Sequence, residues 1–167
     1  MSLYKNKLNY SKIAKLFHWG FIIIFVYGIS KQVDNIDQLK NIHLFRFEIT
    51  FALIFLILLL VRFIYMKKTQ KTSLPDETPK IQKIASKIID NGMYLLLFGT
   101  VLSGLTIGFL YWSGSKDGYL IKVIISIHEF VINLLYLFIL IHILAAIYHR
   151  LKKDGVWNSM VPFFREK

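Results

Sequence analysis

Four apolar blocks separated by lysine-rich segments constrain this chain more than any other feature of it. Charge-free runs cover residues 16–30, 49–61, 91–115 and 130–149, which are 15, 13, 25 and 20 residues long. A helix needs about 20 apolar residues to cross a bilayer, so the last two runs are long enough as they stand. The first two are extended by charges placed to reach the interface: Lys12 and Lys15 before the first, and Arg46, Glu48 and Arg62 near the ends of the second. The expected architecture is all-α, a four-helix transmembrane bundle with spans at about 13–30, 44–66, 88–112 and 128–151. It is expected to form a single domain.

Charge gives the orientation. Segments 1–15, 62–87 and 150–167 hold four, seven and five Lys or Arg residues, against three in 31–46 and two in 113–127. Basic residues are retained on the cytoplasmic side, so both termini are expected there. The net charge of +11 then reflects topology and attraction to anionic lipid. Nucleic acid is not an expected partner, because no fold is present to carry a basic groove. The basic, then apolar start resembles a leader peptide, but the run holds His18 and Trp19, and cleavage is not expected. The absence of cysteine excludes disulfides, thiolate metal sites and covalently attached haem.

The long connection 67–87 contains Pro75, Asp76, Glu77 and Pro79, which suit a polar turn. Ile81, Ile84, Ala85, Ile88 and Ile89 follow at amphipathic helical spacing. This stretch is expected to lie along the interface before turning inward. The opposite connection, 113–118, is rich in Gly and Ser, with Tyr111, Trp112 and Tyr119 as an aromatic belt.

All five histidines fall in or at the end of a span: His18, His43, His128, His142 and His149. Ionisable side chains in a membrane are costly unless they have a function. His128 and His142 share one face of the fourth helix, about 21 Å apart along its axis. Alternating helix direction then puts His18 near the depth of His142, and His43 near that of His128. Two imidazoles from two helices are what a six-coordinate haem iron needs, with the apolar macrocycle wedged between the helices. Zinc would need four clustered ligands, which neither depth offers. His149, seven residues beyond His142, is an alternative partner for His18 but sits at the water boundary. Arg46, one turn from His43, is a candidate for haem propionates, as are Lys12, Lys15 and Arg150 at the other end. Arg62 is read as an anchor of its helix. Gly104 and Gly108 form a G-x-x-x-G arrangement expected to serve helix packing.

The pattern resembles the bacterial cytochrome b561 family. The likeness runs through Tyr10-Ser11-Lys12, Phe17-His18-Trp19, Ile42-His43, Val61-Arg62 and His128-Glu129. It continues from His142-Ile143-Leu144-Ala145-Ala146-Ile147-Tyr148-His149 into a basic tail with Met160-Val161-Pro162. The chain departs from the family in having Arg150 after His149 and Ile127 before His128. The resemblance implies two non-covalent haem b groups, held by His18 with His142 and by His43 with His128. It also implies single-electron chemistry with a membrane quinone. In one version superoxide is oxidised on the outer side and ubiquinone reduced; in the other, quinol and an attached dehydrogenase or hydrogenase exchange electrons through the haems. His149, Arg150 and Trp157 form the candidate quinone cluster on the inner side. A reading of another class, a haem-free membrane scaffold or small transporter, would use the histidines for protons or metal ions.

Overall fold

A computed structural model describes residues 10–33, 35–70, 74–162 and 164. Lys5, Lys7, Lys71, Arg165 and Lys167, which entered the charge argument, lie outside the described residues. The order is α1 (Lys12–Lys31), a short 3-10 turn (Ile36–Lys40), α2 (Ile42–Thr69), α3 (Lys80–Trp112), α4 (Tyr119–Lys152) and the short α5 (Val156–Met160). Helices α1 to α4 are all long and apolar enough to cross a membrane.

Local chemistry sets the helix ends. The Ser11 side chain accepts from the Ala14 N–H and caps α1. Asn41 caps α2 by accepting from the N–H groups of His43 and Leu44, so His43 belongs to the first turn of that helix. Pro79 stands immediately before α3, where the missing N–H costs nothing. Gly118, at φ 115°, ends the loop before α4 in a conformation that side chains with a Cβ rarely adopt.

The four long helices form a bundle in which successive neighbours pack, α1 on α2, α2 on α3 and α3 on α4. Lipid is as apolar as leucine, so this packing rests on close approach rather than on exclusion of water. The centre holds Phe21, Phe55, Leu59, Leu96, Leu97, Val101 and Leu135. On α3, Gly92 faces the Phe138 ring, Gly99 faces Val131 and Gly104 faces His128, all on α4. Gly108 turns instead to Ile49 and Phe45 on α2. The two glycines of the G-x-x-x-G arrangement therefore serve different partners. Helices α1 and α4 pack little against one another.

Three expectations change. The stretch from Ile81 to Ile89 is continuous with α3 and does not turn at the interface. No proline interrupts it, and Gly92 is held inside the helix by its contact with Phe138. Helix α4 begins at Tyr119, nine residues before the expected His128, because Leu120, Ile121, Val123, Ile124 and Ile125 continue the helix without a breaker. His128 thus lies more than two turns inside α4, towards mid-bundle. Tyr111 is 8% exposed, packed on the Phe45 ring and under Lys116, whereas Trp112 and Tyr119 are 75% and 86% exposed. Only the latter two suit an aromatic belt.

The described ends of the chain meet. Tyr10 N donates to Ser159 O at 3.3 Å, Lys15 Nζ to Asn158 O at 3.1 Å and Trp19 Nε1 to Met160 O at 3.2 Å. Helix α5 thereby closes one end of the bundle, the terminal end. The loops 32–41 and 113–118 mark the other, the loop end.

Candidate cofactor and quinone sites

The gap between α1 and α4 is bridged by His18 and His142, whose ring centroids are 6.3 Å apart. Metal–imidazole bonds of about 2 Å on each side, with the ring radii, put two trans axial imidazole centroids about 6 Å apart. The pair therefore has the spacing that a shared metal between two imidazoles requires. His142 directs Nδ1 towards the Asp90 carboxylate on α3, with Oδ1 at 3.7 Å, an electrostatic contact longer than a hydrogen bond. That arrangement suits an Nδ1–H and leaves the Nε2 lone pair free. On His18 the situation is reversed. Arg62 Nη2 lies 3.0 Å from Nδ1, and a guanidinium has only donors, so Nδ1 accepts.

Residues around this pair are aromatic or polar in a defined way. Arg62 lies over the Phe21 ring at 4.8 Å and near the Tyr94 ring at 5.7 Å. Ser86 Oγ donates to Asp90 Oδ2 at 3.4 Å, and Lys67 Nζ donates to Asn91 Oδ1 at 2.7 Å. A polar face of α3 thus looks towards His142 from the terminal end.

His128 is held differently. Ser103 Oγ lies 2.8 Å from its Nδ1 and 2.6 Å from the Gly99 carbonyl oxygen. The hydroxyl donates to the carbonyl and accepts from Nδ1–H, so Nε2 again keeps its lone pair. A Cβ on Gly104 would come within 3.3 Å of His128 Cε1, so glycine leaves the ring its room. His43, exposed at the start of α2, makes no ring contact with His128 among the described residues. Arg46 is exposed one turn further along the same helix. The structure brings His18 to His142 and leaves His43 and His128 apart.

At the terminal end His149 is buried, and its Nδ1 lies 2.7 Å from Asp154 Oδ2. Lys152 Nζ is 3.5 Å from the same oxygen. The carboxylate accepts from Nδ1–H, which orients the imidazole and leaves Nε2 to exchange a proton. Lys153, in the left-handed region at φ 57°, turns the chain so that Asp154 reaches back to His149. Arg150 stacks over the Trp157 ring at 4.9 Å. The three residues of the expected cluster therefore gather at one end, in two subsets: His149 with Asp154, and Arg150 with Trp157. Lys15 is committed to the Asn158 carbonyl.

Sequence reasoning missed Asp90, Asp154 and Ser103, and read Arg62 as an anchor. Asp154, five residues after His149, and Asp90, at the edge of an apolar run, were visible as membrane-edge acids. Nothing in the sequence linked Ser103 to His128. Among the described residues no three His, Asp or Glu side chains converge, so the histidines offer paired rather than clustered donors.

The family model for prokaryotic cytochrome b561 matches residues 9–163. No curated protein and no solved structure matches the chain.

Proposed function

The chain belongs to the prokaryotic cytochrome b561 family, and from that premise we propose that it carries single electrons between two haem b groups, superoxide and a membrane quinone. It is a multi-pass membrane cytochrome of b type, and electron transfer is its business. The facing of His18 and His142 across the gap between α1 and α4 carries the cofactor reading. These two residues hold one haem. His128, fixed by Ser103, would hold the other with His43, with Arg46, one turn along α2 from His43, to meet its propionates. Each haem, when bound, would supply a reversible one-electron couple, and these histidines would be the residues that hold it.

The terminal end is cytoplasmic in this reading, in a bacterial inner membrane, as the distribution of Lys and Arg favours. Ubiquinone or a related quinone binds there beside His149, Arg150 and Trp157. Reducing a quinone to quinol takes two electrons and two protons. Two superoxide anions supply the electrons and leave as two molecules of dioxygen, so the reaction balances with two protons drawn from the cytoplasm. His149, its Nδ1–H bound to Asp154, takes up a proton at Nε2 and passes it to the quinone oxygen. The apolar centre around Phe55, Leu59 and Leu135 keeps water away from the electron path.

The test is the visible spectrum of the purified chain. A low-spin haem spectrum with about two haems per chain, reduced on addition of superoxide and reoxidised by ubiquinone, is the expected result. A spectrum indifferent to superoxide but reduced by quinol would make the chain an electron-transfer subunit for a dehydrogenase or hydrogenase. A colourless, folded protein would leave only a scaffold or transporter.

A further inference from the structure

Arg62, seven residues before the end of α2, is half-buried between His18 and Phe21 on α1 and Tyr94 on α3. Its surroundings do not satisfy it. Nε is buried with no hydrogen-bond partner. Among the described residues no carboxylate forms an ion pair with it. The Phe21 and Tyr94 rings flank the guanidinium, which hydrogen-bonds to the Tyr94 side chain and, through Nη2, to the Nδ1 of His18. A guanidinium taken out of water needs an anion, and leaving it with two neutral partners and an orphaned Nε is costly.

That hydrogen bond also conflicts with the ligand role of His18. With Nδ1 accepting from Arg62, a neutral ring carries its hydrogen on Nε2 and has no lone pair there. His128 and His142 show the opposite arrangement: Nδ1 faces the Ser103 hydroxyl in one and the Asp90 carboxylate in the other. If Nδ1 itself ligated, Arg62 would still stand in the way. The Arg62–His18 contact and ligation by His18 therefore exclude one another, and seating the cofactor must move Arg62 to another acceptor.

The cofactor brings that acceptor with it. We propose that Arg62 is a propionate-binding residue of the haem held by His18 and His142, resting on His18 until that haem arrives. The inference rests on the cofactor reading above and adds a residue to it. A planar guanidinium with parallel donors suits a carboxylate in bidentate fashion, and the free Nε is one of those donors. Occupying His18 in the meantime keeps that imidazole from being captured by a stray metal ion before the haem enters.

The test compares haem with its dimethyl ester, in which both propionates are esterified. Each is loaded into the full-length chain in detergent, with His128→Ala removing the second haem from the signal. Cofactor loss to an excess of a soluble haem acceptor is followed by absorbance. The unsubstituted Arg62 chain is expected to hold native haem roughly tenfold longer than the ester, as loss of a charge-assisted hydrogen bond predicts. In Arg62→Gln the difference should vanish, and Arg62→Lys, which keeps charge but not the fork, should fall between. Equal retention of haem and ester with Arg62 present would overturn the proposal. So would an undiminished difference in Arg62→Gln. If Arg62→Gln does not fold, the ester comparison and the lysine variant still decide. A chain that takes up neither compound would count against the cofactor reading itself rather than against Arg62.

Discussion

Ser103 on α3 and His128 on α4 are joined by a 2.8 Å contact between Oγ and Nδ1, in which the serine accepts from the imidazole because its own hydrogen goes to the Gly99 carbonyl. Ser103, together with the Thr100 backbone, thus orients the His128 ring. Replacing Ser103 with Ala removes a hydrogen bond of about 1 kcal/mol net and frees the ring to rotate. The second haem should then be lost several-fold faster with the first unaffected. Gly104→Val should abolish it, since a Cβ there already comes to 3.3 Å from the ring. Haem per chain, measured after gel filtration, checks both.

His18→Ala and His142→Ala should each remove the same haem. Their rings face one another at 6.3 Å, so either loss breaks one shared site. The double variant should retain as much haem as either single variant. A double variant that loses twice as much would mean that the two residues serve different haems.

Asp90→Asn should raise the midpoint potential of the haem at His142. The carboxylate 3.7 Å from Nδ1 favours the more positive, oxidised iron through the ligand, so removing its charge favours reduction. Spectroelectrochemical titration reads the shift directly. The other haem, whose His128 is held by a neutral serine, should keep its potential.

His149→Ala should lower quinone reduction by about two orders of magnitude, as loss of a positioned proton carrier does, with haem content unchanged. Asp154→Ala should lower it by less, on the order of tenfold, because the imidazole remains but loses the 2.7 Å contact that orients it. Stopped-flow reoxidation of the reduced protein by quinone separates the two effects. An unchanged rate in both variants would move the quinone site elsewhere.

Much of the fold was legible because a membrane span is declared by composition. The runs around Ile57 and Leu140 carry no charge, and no other structure hides their backbone groups in lipid. The helix ends were less legible. Tyr119 to Ile127 lay outside the expected span of 128–151, yet a lysine such as Lys122 near a helix end reaches the interface along its own stem and leaves the helix intact. The amphipathic stretch beginning at Ile81 was read as a separate interfacial segment, but a helix without proline continues when its far end is already packed.

For the site, the histidines were legible one by one; depth and direction put His142 opposite His18 with His149 as an alternative, and it is the His142 ring that faces His18. The sequence by itself determined that the chain crosses the membrane repeatedly and carries imidazoles at two levels, since hydropathy and helical repeat are properties of the chain in one dimension. Which nitrogen each imidazole offers was decided only in three dimensions. Ser103, Asp90 and Arg62 come from neighbouring helices and are far from their histidines in sequence. Donor and acceptor roles are set by what packing brings within hydrogen-bonding reach, and no spacing rule along the chain records that.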